Sequence, residues 1–197
     1  MPLSGGGPPV APAPPPAPAA ADESVMSLVD HLAELRRRLF ISALAVVIGS
    51  VLGLFLAPRA IEILKAPIPG PLRFTDLGGA FFIQLKVAVV IGVVLAMPVI
   101  LWQLWRFVAP GLTPEERRLA RPWVPLALLF FALGVVVAYI VLPFASAFLL
   151  GFAVPGTLEP LITAEAYFGF VTLLFLAFGL VMEFPIVLVL LSKVGII

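Results

Sequence analysis

Polar residues in this chain fall in short segments between four long apolar stretches, and that alternation sets the first expectation. Leu39 to Ala57 holds no charged residue, and neither does Trp123 to Leu142. Phe81 to Trp105 holds only Lys86, near one end, and Tyr167 to Leu191 holds only Glu183. A helix needs about 20 apolar residues to cross a hydrocarbon core of roughly 30 Å. The pattern therefore predicts transmembrane helices over approximately 39–57, 81–105, 123–142 and 167–191.

Ahead of the first span, Leu28, Leu32, Leu35 and Leu39 recur at helical spacing and form one apolar stripe, with Asp30, Glu34 and Arg37 opposite. Ser27-Leu-Val-Asp30 fits a capping box opening this short helix, which is expected to lie along the inner membrane surface and run into the span. Pro58 to Ala80 reads as the first outer segment, turned by Pro67-Ile-Pro-Gly-Pro71 and by Gly78-Gly79. Phe144 to Phe152, bracketed by Pro143 and Pro155, reads as a short interfacial or outer capping helix. Pro98, Pro125, Pro143 and Pro185 lie within or at the edges of spans, where each removes a backbone donor and kinks the helix. Curved helices enclosing a concavity follow from that. Gly49 and Gly53 have the spacing that lets two helices approach closely.

Composition agrees: 62% hydrophobic against 12% charged residues excludes an ordinary soluble domain. The net charge of +1 carries little information, but its distribution does. Arg36, Arg37 and Arg38 precede the first span, and Arg106, Arg117, Arg118 and Arg121 lie between the second and third. Arg59, Lys65 and Arg73 occupy the outer connection, and Pro122 to Leu158 is uncharged. Lysine and arginine are enriched in cytoplasmic loops, so the amino terminus and the Arg106–Arg121 loop are expected inside. Residues 1–24 form a Pro/Ala/Gly-rich tail expected to be disordered, and 25–197 the membrane domain. Arg36–Arg38 before an apolar run looks like a signal peptide, but the run is long and three spans follow, which favours an uncleaved span. With no cysteine there is no disulfide framework or thiolate metal site.

The candidate chemistry is acidic. Thr113-Pro-Glu-Glu116 is a helix start, with threonine as N-cap, proline at the first helical position and acids in the first turn. Glu116 either closes a capping box on Thr113 or presents its carboxylate to a cationic partner, and the two roles are compatible. Glu34 has a similar double reading. It pairs weakly with Arg37 or Arg38 at helical spacing, or yields to an arginine fork from outside, which matches a carboxylate bidentately. Two exposed carboxylates alone hold a peptide poorly, so a receptor of this kind needs apolar burial too; arginines followed by a hydrophobic run offer both. Glu183, an acid at mid-span, marks a protected cavity or a structural hydrogen bond, and Gln103 is expected to line the same polar region. Lys86 snorkels outward, and His31 reads as a surface or capping residue. No motif of a hydrolase, metalloenzyme or phosphate-binding loop occurs, so no enzyme, metal or cofactor is expected.

These residues resemble the TatC family, the polytopic receptor subunits of the twin-arginine protein translocase. The matching segments are His31-Leu-Ala-Glu-Leu-Arg-Arg-Arg-Leu39, Ala66-Pro67, Met97-Pro-Val-Ile-Leu-Trp102, Phe107-Val-Ala-Pro-Gly-Leu-Thr-Pro-Glu-Glu-Arg-Arg118 and Phe178-Gly-Leu-Val-Met-Glu-Phe-Pro185, in family order. The resemblance implies an all-α polytopic fold whose kinked transmembrane helices form a concave, glove-like bundle. It implies export of folded proteins across the cytoplasmic (inner) membrane, driven by the proton-motive force. Glu34 and Glu116 would receive the twin arginines of a signal peptide, with Arg36, Phe107 and Pro110 shaping that surface. Pro67 would fall in the outer loop, Phe82 at the start of the second span, and Glu183 inside the concave face. Implied partners are twin-arginine signal peptides of folded precursors, single-span TatA/TatB-type subunits and membrane lipid within an oligomeric complex, with no nucleic acid. The family has six spans and this sequence stops at Ile197, just past the fourth, so it reads as a fragment or truncated frame. The alternative drawn from residues alone is a proton-coupled secondary transporter using Glu183.

Overall fold

The structure, a computed structural model, describes residues 20–68, 70–154 and 161–193. They form helix α1 (Ala20–Lys65), α2 (Gly79–Val108), a 3-10 turn (Ala109–Gly111), α3 (Pro114–Ala120), α4 (Trp123–Leu150) and α5 (Ala164–Lys193). Four of these, α1, α2, α4 and α5, are long and apolar enough to cross a membrane. Residues 1–19, most of the expected tail, lie outside the described residues.

Three element boundaries differ from expectation, two of them for one reason. α1 is a single helix of 46 residues, so Ser27 is internal to it and the amphipathic segment continues into the span without a break. α1 also passes through Pro58 to Lys65, which shortens the expected outer segment, and α4 passes through Pro143 to Leu150, so no separate capping helix follows it. Proline removes one backbone hydrogen bond, whereas ending the helix in apolar surroundings would strand several backbone groups at once. Continuing the helix is the smaller loss.

Small residues bring the helices together. A Cβ on Gly49 would stand 2.6 Å from the carbonyl oxygen of Gly92, and one on Gly53 would collide with the carbonyl of Ala88. The glycine pair of α1 is thus used within the chain, against α2. In α4, a Cβ on Gly134 would stand 2.6 Å from the carbonyl oxygen of Phe178 in α5, and one on Gly179 would meet the Phe131 ring at 2.8 Å. One buried cluster gathers Val87, Leu142, Phe168 and Val171; a second gathers Met97, Leu101, Ala127, Phe131 and Ile186. The Tyr167 hydroxyl donates to the carbonyl of Leu64, tying α5 to the last turn of α1. Nearby, Arg73 and Thr163 form an isolated parallel bridge, with the Ala164 N–H donating to the Arg73 carbonyl at 2.7 Å.

Between these helices lies an apolar concavity of about 430 Å³, lined among others by Ile63, Val90, Val94, Val136, Tyr139 and Phe175. This hollow is partly open, and none of Pro98, Pro125, Pro143 and Pro185 is among its lining residues. Outward, Phe40 and Phe55 are 70% and 80% exposed, as suits helices whose solvent is lipid tails.

Candidate functional site at the basic end

The first two long helices run antiparallel, and their register assembles the site. Gly49 faces Gly92, Gly53 faces Ala88 and Arg38 faces Gln103 in one continuous register. His31 of α1 stacks on Phe107 of α2 with ring centroids 4.4 Å apart and planes 21° apart. His31, Glu34 and Arg38 share one helical face, spaced by three and four residues.

Glu34 sits at the centre of this face. Its Oε1 accepts from Arg38 Nε at 3.0 Å and also from Arg38 Nη2, while Arg38 Nη1 donates to Gln103 Oε1 at 3.1 Å. Of the two internal partners open to Glu34 from spacing alone, Arg38 is the one used. His31 and Arg106 add to the positive field at the same carboxylate. The Arg38 side chain is 16% exposed and that of Glu34 34%, so the acid is the accessible member of the pair. Arg36 and Arg37 are exposed, and neither forms an ion pair among the described residues.

Glu116 stands on α3, just beyond the 3-10 turn that follows Phe107. Its Oε2 accepts from the Thr113 N–H at 2.9 Å, and its own N–H donates to Thr113 Oγ1 at 3.4 Å, completing the capping box. The cap is therefore present and fixes where this carboxylate stands. Pro110 is exposed in the turn, which is anchored by Trp105, Ala109 and Leu112 against Trp123 and Val124.

The intramembrane acid is separate. Glu183 is 8% exposed, and its Oε1 has no hydrogen-bond partner among the described residues. It borders a space of about 40 Å³ lined by Leu101, Trp105, Trp123, Val124 and Ile186 among others. Two expectations change here. Gln103 does not line that space, because Leu101, Leu104, Trp105 and Val108 present the opposite face of α2 to it. Nor is Glu183 among the residues lining the 430 Å³ concavity, whose walls come from residues nearer the other end of the bundle.

The remaining marked residues are not drawn to Glu34. Pro67 is half-buried in the turn after α1, where the Ile68 N–H donates to the Lys65 carbonyl at 2.9 Å. Phe82, in the first turn of α2, meets Phe81 edge-on with centroids 5.6 Å apart. Pro98 and Pro185 lie inside α2 and α5. Sequence reasoning offered Arg38 as one of two partners for Glu34 but missed His31, although its spacing from Glu34 was a usable signal.

Residues 30–197 match the family model described as Sec-independent protein translocase protein (TatC). A Sec-independent protein translocase protein TatC of Carboxydothermus hydrogenoformans is 38% identical over 180 residues, covering 89% of this chain and 74% of that protein. The protein of the same name from Aquifex aeolicus is 41% identical over 179 residues, covering 87% and 75%. Among solved structures, a crystal structure of the twin-arginine translocase receptor TatC superposes with a TM-score of 0.75 at 41% identity, covering 85% of this chain and 76% of that one. The chain belongs to the TatC family of Sec-independent protein translocase proteins, as a multi-pass membrane protein of that family.

Proposed function

We propose that this chain is the receptor and core subunit of a twin-arginine translocation system in the cytoplasmic (inner) membrane. In this reading its amino terminus and the Arg106–Arg121 loop face the cytoplasm, following the excess of arginine there. Glu34 and Glu116 receive the two guanidinium groups of a signal peptide, with Arg36, Phe107 and Pro110 forming the surrounding surface. The peptide's hydrophobic run supplies the apolar burial that two exposed ion pairs lack. The complex exports folded proteins using the proton-motive force, with single-span TatA/TatB-type subunits and lipid as its other partners. The groups named here lie in the membrane domain taken from residue 25 onward.

The observation that carries the reading is the arrangement at Glu34: an accessible carboxylate held at the α1–α2 seam, beside the His31–Phe107 stack. The name of the solved relative, a twin-arginine translocase receptor, supports it. The test is photocrosslinking of a twin-arginine signal peptide to membranes containing the protein. Glu34→Lys and Glu116→Lys are each expected to abolish the crosslink, and full crosslinking in both would remove the assignment.

A second reading is favoured by Glu183 alone. Its buried Oε1, without a hydrogen-bond partner among the described residues, suits a titrating group of a proton-coupled secondary transporter. That reading requires Glu183→Gln to abolish uptake of a small solute while peptide binding at the basic end survives.

A further inference from the structure

The carboxylate assigned to a guest already has an occupant from this chain. Arg38 places Nε and Nη2 on Glu34 Oε1, and Gln103 takes Nη1, so all three guanidinium nitrogens are engaged. Arg36 and Arg37 share neither feature: they are exposed and form no ion pair among the described residues. One arginine of the three is built into the acid.

The surrounding charge gives that contact a consequence. Residues 30–38 and 106–121 together hold seven arginines against four acids. A segment carrying two positive charges meets net repulsion in such a field, and at Glu34 it must also displace a resident cation from the acid it seeks. Arg38 is the resident cation on Glu34, and its partner across the seam is a neutral amide that holds it without adding charge. Exchange of one guanidinium for another leaves the hydrogen bonds of the carboxylate nearly unchanged, so the exchange is feasible, but each guest must displace a tethered competitor.

We propose that Arg38 is a built-in competitor for Glu34 that lowers the affinity for arginine-bearing guests, and that Gln103 is the positioning residue that holds it there. This rests on the reading of Glu34 as a receiving group. Arg38 thereby sets how readily the empty receptor engages weak or partial signals. The Gly49–Gly92 and Gly53–Ala88 contacts set the helix register that brings Gln103 to it.

The experiment uses the full chain in lipid nanodiscs and a fluorescent synthetic peptide of two arginines followed by a hydrophobic run, with Kd read by anisotropy. Arg38→Met keeps the aliphatic stem and removes the competing charge; it is expected to bind roughly three- to tenfold tighter. Gln103→Leu is expected to give a smaller gain in the same direction. In the Glu34→Gln background the Arg38→Met gain disappears. A gain of affinity does not arise from misfolding, so a structural role for Arg38 would not imitate it. Equal or weaker binding by Arg38→Met, with Glu34→Gln still weakening the wild type, overturns the competitor and leaves the receptor reading standing. Wild-type affinity in Glu34→Gln overturns that reading, and the competitor with it.

Discussion

Arg38 of α1 and Gln103 of α2 are joined by a hydrogen bond of 3.1 Å in the same antiparallel register that sets Gly49 against Gly92. The two contacts are linked mechanically. A helix pair brought to backbone contact at its glycines cannot slide without losing that close approach, so the polar contact three turns away is fixed by residues that carry no chemistry. The site at the basic end is thus a product of helix packing as much as of its own charges.

Gly49→Leu tests that linkage. The new side chain has no room against the Gly92 carbonyl, and overpacking of this kind costs typically about 1–3 kcal/mol. The helices are expected to separate, with a lowered midpoint of thermal unfolding in detergent. Since the chain contains no cysteine, a His31→Cys/Phe107→Cys pair reports the register directly. Crosslinking of the pair by a short bifunctional thiol-reactive reagent should be efficient in the parent and impaired when Gly49→Leu is added.

The cap on α3 offers a second test. Thr113 Oγ1 accepts the Glu116 N–H and Glu116 Oε2 accepts the Thr113 N–H, so removing the hydroxyl breaks one half of the box and leaves the Glu116 carboxylate held by the backbone N–H alone. Thr113→Ala is expected to cost about 1 kcal/mol in local stability, to raise hydrogen exchange over Pro114–Ala120, and to weaken peptide binding by loosening the helix start that positions Glu116. Thr113→Ser, which keeps the hydroxyl, should stay near wild type in both measurements. Weakened binding without a change in exchange would separate the cap from the carboxylate's placement.

Much of this was legible in the residues. Four charge-poor stretches gave four long helices, because apolar length alone decides what crosses a bilayer. Thr113-Pro-Glu-Glu116 gave its capping box, a device contained within four consecutive residues. Proline was the misleading signal: Pro58 and Pro143 end helices in water, where exposed backbone is solvated, but not here. The Arg38 pairing with Glu34 follows a local i+4 spacing within α1, but the pairing of Gln103 with Arg38 rather than with Glu183 depended on the rotation of α1 against α2. Nothing local to either segment encodes that angle. His31 is exposed, as expected of a surface residue, but its stacking partner Phe107 lies far along the chain and no local signal names it.

Glu183 gives a prediction about stability. A buried carboxyl oxygen without a hydrogen-bond partner destabilises the fold by about 1–3 kcal/mol, and the apolar lining around it offers no compensation. Glu183→Leu is therefore expected to raise resistance to denaturation in bicelles, with Glu183→Gln intermediate. Loss of stability in Glu183→Leu would mean that the acid has a partner which the apolar replacement lacks.

Charge reversal separates an electrostatic grip from a merely shaped pocket. If Glu34 and Glu116 hold guanidinium groups, affinity for the dibasic peptide should fall steadily as salt is raised, because an accessible ion pair is screened over about 8 Å at physiological ionic strength. A peptide with both arginines replaced by glutamate should not bind the wild type. Glu34→Lys should lose the dibasic peptide and gain partial binding of the diacidic one, with the hydrophobic run unchanged. Recovery should be incomplete, since lysine is a point-like donor and Arg38, now without its acid, repels the new side chain. Binding of the dibasic peptide that ignores both salt and the sign at residue 34 would leave shape and apolar burial as the only source of recognition.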